Sequence, residues 1–476
     1  MTDLLPTRQR SAAPVPATAP IPTRSAQVRR VKINLLDRPW AGHWTGVIVT
    51  PVRVPTPESL RVVWRQLIDA HPDAPLTGRM DRRSWICVPE SDRDAFVRST
   101  IVPIDDPTTQ DADGYLARSL HLLPADRPIL IGVGERSLLV LLSHQLGDAS
   151  TVTLLIKALL AGDADGLAAL THKADLPDVV RAARFQARSH GREWWSMARR
   201  RIAGLRSGRG EDPAPTVLEP TPTPVPAASA TVSAASATVS VAAPAGGTGG
   251  TAVVSVRWTT ADLQPVSRWR NRHAKGMSIT SVLTAATQRA LLDAGLPMAT
   301  DGFHSLVDLR RYRPESDQGF LAGNLAKSVR IDADPTDLRA IGDASREMVE
   351  SARPVLATVI GSLTGAWIGA VTRHRADRPA HEAGHGPVSM TFNSMPALPG
   401  LSELPWLPGA ARQYIGVGYP ALPQSITVFA MRMREHMQAT AAFPASLIGP
   451  ERLRSALQDI PGRIDELLDA PAPTGE

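Results

Sequence analysis

Two kinds of apolar pattern alternate along the first part of the chain. Short continuous runs are typical of buried strands, and apolar residues that recur at helical spacing are typical of packed helices. The short runs predict strands over 44–54 and 127–144, the second range holding two strands joined by a turn at Gly134. The helical spacing predicts helices over 56–72 and 151–162.

The second part of the chain repeats this alternation. Strands are predicted over 251–260, 303–314, 328–333, 389–394 and 424–433. Helices are predicted over 278–295, which ends at Gly295, and over 449–470. Since strands and helices interleave in both halves, the expected fold class is mixed α/β with two lobes of comparable size.

Shifts in composition divide the chain into four regions. Residues 1–28 are rich in Pro, Ala, Arg and Thr, and this composition predicts a disordered tail. The same residues lack the apolar core of a secretory signal. Residues 207–251 form a Pro/Ala/Thr-rich tract that predicts a flexible linker. We therefore expect an N-terminal lobe over 29–206 and a C-terminal lobe over 252–476.

The overall composition is that of a folded protein, since the 476 residues are 43% hydrophobic. Cys87 is the single cysteine, which excludes an intramolecular disulfide and a thiolate metal cluster. This cysteine usage fits a reducing compartment, and we expect a cytoplasmic location.

The formal charge of +6 is unevenly distributed, with much of the excess in the arginine-rich segment 181–210 beside Trp194 and Trp195. Nucleic acid, anionic lipid or an acidic protein would suit such a segment. We interpret it as a helix with solvated arginines and expect no nucleic acid, because no nucleic-acid-binding motif accompanies the charge.

The uncharged segment 354–372 has apolar residues every four positions, which predicts a helix packed in a core or lying on a bilayer. Peripheral contact with a membrane therefore stays open.

Two histidine motifs favour structural roles. The string HEAGH at 381–385 has the spacing of a zinc site, with Glu403 as a third ligand. Its Gly and Pro neighbours predict a loop, so no metal is expected. His304 and Asp308 share one face of a predicted strand, together with Arg310, where an ion pair or a buried hydrogen bond is the expected role.

A third histidine, His144, ends an apolar strand, and Asp148 follows across a Gln-Leu-Gly loop in which Gly147 permits a tight turn. An imidazole at a strand end can take a proton from a hydroxyl or amine that attacks an acyl carbonyl. Asp148 would either orient the ring or hold the loop through an ion pair. The same His-x-x-x-Asp spacing recurs at 304–308, so the loop alone leaves a purely structural role open.

The segment SHQLGDAS at 143–150 resembles the HHxxxDG motif of the condensation-domain superfamily of acyltransferases. This superfamily includes peptide-synthetase condensation domains, polyketide-associated and alcohol acyltransferases, and chloramphenicol acetyltransferase. Further segments are similar to family landmarks in the same order: LLDRPWAGHW, LRVVWRQLIDAHPDAP, VDLRRYRP, Gly323-Asn324 and SMTFNSMPALPGL. The resemblance covers nearly the whole chain outside the tail and the linker.

The resemblance implies two chloramphenicol-acetyltransferase-like lobes around a central substrate tunnel, with His144 as the catalytic general base. Asp148 matches the structural aspartate of the motif, and Arg310 stands where its arginine partner is expected. Asp148 is then expected to hold the loop, with Gly147, in place of orienting the ring. Three residues are expected to bind substrate: Ser143, Asn324 and Asn393.

The expected reaction transfers an acyl group from a thioester, on coenzyme A or a carrier-protein phosphopantetheine arm, to an alcohol or amine. No covalent enzyme intermediate and no tightly bound cofactor are expected, because the acyl thioester is a co-substrate. Backbone amides near Gly147 and the side chain of Asn393 are the candidate donors to the tetrahedral oxyanion.

Two positions depart from the motif, since Ser143 replaces its first histidine and Ala149 its final glycine. The DFGWG signature of plant-type members and the Asn-Asp pair of wax-ester synthases are also missing. The alternative function is therefore a catalytically degenerate member of the superfamily that serves as a binding or scaffold module.

Overall fold

The computed structural model describes residues 29–81, 84–124, 126–206, 250–317, 319–371, 386–395, 398–419 and 424–469. Its strands are β1 (Arg30–Lys32), β2 (Trp44–Thr50), β3 (Arg79–Met80), β4 (Ser84–Ile86), β5 (Ile101–Pro103), β6 (Ile129–Val133), β7 (Leu138–Ser143), β8 (Thr251–Thr259), β9 (Phe303–Asp308), β10 (Ala326–Ile331), β11 (Ser389–Met395), β12 (Gln413–Tyr419), β13 (Ser425–Arg432) and β14 (His436–Pro444). Its α-helices are α1 (Pro57–Ala70), α2 (Arg93–Thr100), α3 (Ala112–Ser119), α4 (Ala149–Ala161), α5 (Ala164–Ala169), α6 (Leu176–Arg206), α7 (Leu263–His273), α8 (Ile279–Asp293), α9 (Leu338–Glu350), α10 (Arg353–Val371), α11 (Pro450–Gln458) and α12 (Ile464–Asp469).

The N-terminal lobe is built on a five-stranded sheet of order β12-β2-β7-β6-β5. The strands predicted over 44–54 and 127–144 are β2, β6 and β7, and the predicted helices are α1 and α4. Thr56 caps α1, because its side chain accepts a hydrogen bond from the Ser59 amide. Both helices pack on the sheet and share one buried apolar core with it.

The C-terminal lobe is built on a six-stranded sheet of order β10-β9-β11-β13-β14-β8. The strands and helices predicted in this half are present, and the apolar pattern did not reveal four additional elements, β12, β14, α7 and α9. Helices α7, α8, α11 and α12 pack with this sheet around a second buried core. The expected mixed α/β class with two lobes is confirmed.

One strand crosses between the lobes. β12 belongs by sequence to the range expected to form the C-terminal lobe, yet it pairs antiparallel with β2, from Gln413 opposite Thr50 to Tyr419 opposite Trp44. The division at the linker therefore does not separate the two sheets, and the boundary expected at 252–476 needs this correction. The linker is also shorter at its end than predicted, since β8 begins at Thr251.

Three of the predicted features lie wholly or mostly outside the described residues. The tail, most of the linker and the HEAGH string at 381–385 lie outside the described residues. Glu403, the third ligand considered for that string, is ion-paired with Lys157.

The helix predicted over 354–372 is α10, which packs against α6. Among the described residues, no helix has the length and apolar character needed to span a membrane.

Candidate active site

The candidate site lies at the end of β7, where the chain turns into α4. The amide of His144 donates to the carbonyl of His43 at 2.8 Å, so the histidine is held beside the start of β2. Asp148 is the N-cap of α4, because its side chain accepts from the Thr151 amide at 3.2 Å. Strand and helix therefore fix the loop 144–148 at both ends.

Asp148 and Arg310 form a two-pronged ion pair between the lobes. Arg310 Nη1 lies 2.8 Å from one carboxylate oxygen of Asp148, and Nη2 lies 3.2 Å from the other. The backbone amide of Leu325 donates to the same carboxylate at 2.9 Å. Both side chains are largely buried, with exposed fractions of 12% for Arg310 and 4% for Asp148.

Arg310 does not lie on a strand as the alternating pattern predicted. β9 ends at Asp308, whose side chain accepts from the Arg310 amide and begins a 3-10 helix over Leu309–Tyr312. Arg310 Nη1 also lies 3.1 Å from Asp308. The 3-10 turn directs the guanidinium toward the other lobe. His304 instead contacts Ser328, with 3.4 Å between His304 Nδ1 and the hydroxyl oxygen.

Two glycines allow close packing around Thr151 of α4, Gly323 from the other lobe and Gly147 from the loop itself. Gly323 accepts through its carbonyl from Thr151 Oγ1 at 3.0 Å and has φ +120, a backbone conformation that favours glycine. A Cβ on Gly147 would lie 2.6 Å from Cβ of Thr151. Close packing on α4 thus favours glycine at position 147, whereas its φ is not positive, so the turn itself does not require glycine.

The imidazole of His144 is oriented through Nδ1. This atom lies 3.1 Å from the carbonyl oxygen of Gly147 and 2.8 Å from Nδ2 of Asn324, which also donates to the His144 carbonyl at 3.0 Å. A carbonyl oxygen only accepts, so its hydrogen bond with Gly147 requires a proton on Nδ1. In that tautomer Nε2 carries the free lone pair. An Nδ1–H forms a hydrogen bond with Asn324 only when the amide is turned to present Oδ1, and in that orientation Nδ2 no longer donates to the His144 carbonyl.

Two aromatic residues surround the His144 ring. The indole of Trp40 stacks on it, with 4.5 Å between ring centroids and an interplanar angle of 29°. Trp40 also meets the ring of His43 edge-on at 6.0 Å. Burial, followed by the neighbouring His43, lowers the pKa of His144 to about 4, and burial also lowers the pKa of His43. His144 is therefore a neutral ring at pH 7.

Two of the residues expected to bind substrate make no hydrogen bond with the His144 ring among the described residues. Ser143 is fully buried in β7, and its hydroxyl accepts from the Gln145 amide at 3.4 Å. Its side chain therefore supports the loop, and substrate binding by Ser143 stays a prediction. Asn393 lies on β11 opposite Phe429, and no hydrogen bond joins it to His144 within the described ranges. Asn324 is brought to the histidine, with Nδ2 2.8 Å from His144 Nδ1.

A second buried ion pair braces the same loop and was not predicted. Lys173 Nζ lies 2.6 Å from the Asp37 carboxylate and also donates to the Gln145 carbonyl, while Gln145 Nε2 donates to the Asp37 carbonyl at 3.2 Å. Burial raises the pKa of Asp37 and lowers that of Lys173. Asp37, Trp40 and His43 all fall in the quoted landmark LLDRPWAGHW, which was the available signal.

Comparisons with known proteins agree with this architecture. No family model matches the chain, and no curated protein matches it. Among solved structures, a trichothecene 15-O-acetyltransferase from Fusarium sporotrichioides is similar with a TM-score of 0.53 and 12% identity, over 92% of this chain and 95% of that one. The condensation domain of the monacolin K polyketide synthase is similar with a TM-score of 0.51 and 12% identity, over 94% of this chain and 99% of that one.

At these identities the likeness shows the fold and not the reaction. It spans nearly the full length of both compared chains, with both lobes included. The resemblance seen in the sequence is therefore confirmed at the level of architecture: this chain has the two-lobed fold of the condensation-domain and chloramphenicol-acetyltransferase-like acyltransferases.

Proposed function

We propose that the protein transfers an acyl group from a thioester to a hydroxyl or amine, with His144 as general base. The observation that carries this proposal is the orientation of the imidazole. Its Nδ1 faces the carbonyl of Gly147, which leaves Nε2 as the basic nitrogen of a ring that is neutral at pH 7.

The low pKa of His144 affects how the proton moves. A ring with a pKa of about 4 does not remove a proton from a free alcohol in a prior equilibrium. The acceptor becomes strongly acidic as its lone pair attacks the thioester carbonyl, so proton transfer to Nε2 accompanies formation of the new C–O or C–N bond. The negative charge that develops nearby also favours the imidazolium form.

The second half of the reaction returns this proton. When the tetrahedral intermediate collapses, the C–S bond breaks and the leaving thiolate takes the proton from Nε2, which regenerates neutral His144. The enzyme forms no covalent bond with the acyl group in this scheme. The oxyanion requires a hydrogen-bond donor, for which the amides near Gly147 and the side chain of Asn393 remain our candidates.

The test measures acyl transfer by the purified full-length chain. The O-acetyltransferase similarity makes an acetyl thioester and a hydroxyl acceptor the first pair to use, followed by longer acyl-coenzyme A and acyl-phosphopantetheine donors with amine acceptors. Thiol release and mass-spectrometric detection of the acylated acceptor report the reaction. His144→Ala should lower the rate by about 10²–10⁴-fold.

The matched control is His172→Ala, because His172 is an exposed histidine. The control should retain the rate of the unmodified chain. Full turnover by His144→Ala with a proven donor and acceptor would overturn the assignment of the base.

A second candidate is a non-catalytic binding module in the same fold. It is motivated by the stacking of Trp40 on His144 and by the departures at Ser143 and Ala149. This candidate predicts saturable binding of an acyl thioester without product. Formation of an acylated product that depends on His144 would exclude it.

A further inference from the structure

Helix α6 exposes a single basic stripe along its outer face. The stripe consists of seven exposed residues: Arg181, Arg184, Phe185, Arg188, Arg192, Trp195 and Arg199. At 100° per residue all seven lie within about 60° of one line down the helix, and the line is about 27 Å long. These seven residues form the basic stripe.

The opposite face of α6 holds the helix on the protein. Val179, Ala182 and Trp194 are buried there, and the indole of Trp194 donates to the Ser351 carbonyl at 3.0 Å. Glu193 on the flank pairs with Arg353 at 3.1 Å. The outward direction of the basic stripe is therefore set by packing.

The arginines of the basic stripe are mostly without acidic partners. Arg181 approaches Asp317 at 3.9 Å, and within the described ranges no ion pair involves the four others, which are Arg184, Arg188, Arg192 and Arg199. The guanidinium of Arg199 lies over the Trp195 ring, 5.2 Å from its centroid. With respect to the described part of the chain, the stripe thus presents unneutralised positive charge at the surface.

Two large apolar side chains stand in the same line. Trp195 is 61% exposed and Phe185 is 38% exposed. Ten residues, or about 15 Å, separate them along the helix. A protein-binding hot spot gathers its aromatic residues in one central patch that excludes water, and this spacing does not provide such a patch.

We propose that the basic stripe docks the protein on an anionic lipid surface. Lipid headgroups accept separated aromatic rings at the level of the interface, and guanidinium groups bind their phosphates with two hydrogen bonds. A straight helical line of this length lies parallel to a bilayer. The proposal concerns α6 alone and is independent of the acyl-transfer proposal.

The experiment is co-sedimentation of the full-length chain with phosphatidylcholine vesicles, with and without phosphatidylglycerol. We expect binding to the phosphatidylglycerol vesicles only, and weaker binding as salt is raised. Replacing three arginines of the stripe, as Arg184→Glu, Arg188→Glu and Arg192→Glu together, should lower the affinity by at least about 100-fold, since each cation near such a surface contributes about fivefold and each introduced carboxylate is repelled. Trp195→Ala should lower it at every salt concentration, because the ring acts through apolar contact.

A second triple variant separates the stripe from net charge. Arg98, Arg268 and Arg339 are exposed on α2, α7 and α9, so Arg98→Glu, Arg268→Glu and Arg339→Glu together change the net charge equally. This control should stay within about threefold of the unmodified affinity. Circular dichroism melting checks that each variant is folded.

Three results would overturn the proposal. The first is no sedimentation of the unmodified chain with phosphatidylglycerol vesicles. The second is an equal loss of binding in both triple variants, which would mean general charge attraction. The third is stripe-dependent binding of a single-stranded oligonucleotide without binding of vesicles, which would assign the stripe to nucleic acid.

Discussion

Asp148 of the N-terminal lobe and Arg310 of the C-terminal lobe are joined by two hydrogen-bonded contacts of 2.8 and 3.2 Å. The same carboxylate caps α4 and accepts from the Leu325 amide, so it binds three segments at once. Asp148 forms no hydrogen bond with the His144 ring among the described residues. The aspartate therefore supports the loop that positions the histidine.

Removal of Arg310 should destabilise the fold. Arg310→Met leaves the buried Asp148 carboxylate without its counter-charge, which should lower the free energy of unfolding by about 3–5 kcal/mol in urea titrations. Arg311→Met, at the exposed neighbouring position of the same 3-10 helix, is the control and should change it little. Equal stability of the two variants would contradict the bracing role.

The pH dependence should reflect the depressed pKa of His144. Activity should persist below pH 6 and fall only near pH 4, where the ring takes up a proton. The unfolded chain protonates at about 6.5, so the unfolded state binds more protons between these values and His144 costs stability as pH falls through this window. His144→Gln should lose less stability than the unmodified chain over that window, as measured by unfolding at each pH.

His43 should influence the titration of His144. His43→Gln removes the second imidazole, whose charge opposes protonation of the first, so the pKa of His144 should rise. NMR titration of the histidine ring protons measures this pKa directly. The acidic limb of the pH–rate profile, where activity falls as His144 is protonated, should also move to higher pH. An unchanged pKa would show that burial alone sets the value, and His172→Gln provides the exposed control.

Asn324, in the other lobe, should influence the pKa of the same His144 ring. Asn324→Asp places a carboxylate at the position that is now 2.8 Å from His144 Nδ1, which favours the imidazolium and should raise its pKa. The acidic limb should therefore shift to higher pH. Asn324→Ala removes the hydrogen bond without adding charge and should lower kcat with little shift of the limb. The assignment fails if the two variants have the same pH profile.

The pair of Lys173 and Asp37 should behave as a buried unit. Lys173→Met leaves Asp37 unpaired, with a side chain only 4% exposed, and should lower the free energy of unfolding by about 3–5 kcal/mol. Asp37→Leu in the same chain removes the orphaned charge and should restore most of this loss. A double variant that is less stable than the single one would contradict this account.

The apolar pattern was sufficient for elements whose partners are local. β6 and β7 are joined by the turn at Gly134, and α4 follows at once, so periodicity and one cap define the site-bearing unit. The resemblance further pointed to Asp148 and Arg310, although 162 residues separate them.

Features that depend on distant pairing could not be read from the pattern. β12 contains two glycines, at positions 416 and 418, and gains its partner from β2, which lies far earlier in the chain. Arg310 continues an alternating strand-like pattern, yet the Asp308 side chain binds the Arg310 amide and turns the backbone into a 3-10 helix. Lys173 and Asp37 are 136 residues apart, and neither has a local signal of burial.

The crossing of β12 has a consequence for how the protein reaches its native state. Until residues 413–419 have been synthesised, β2 has a neighbour on one side only, and the backbone groups of Trp44–Thr50 form an open edge. The sheet of the N-terminal lobe is therefore incomplete until β12 is made, despite the long Pro/Ala/Thr-rich tract between β2 and β12. Completing this sheet requires almost the entire chain.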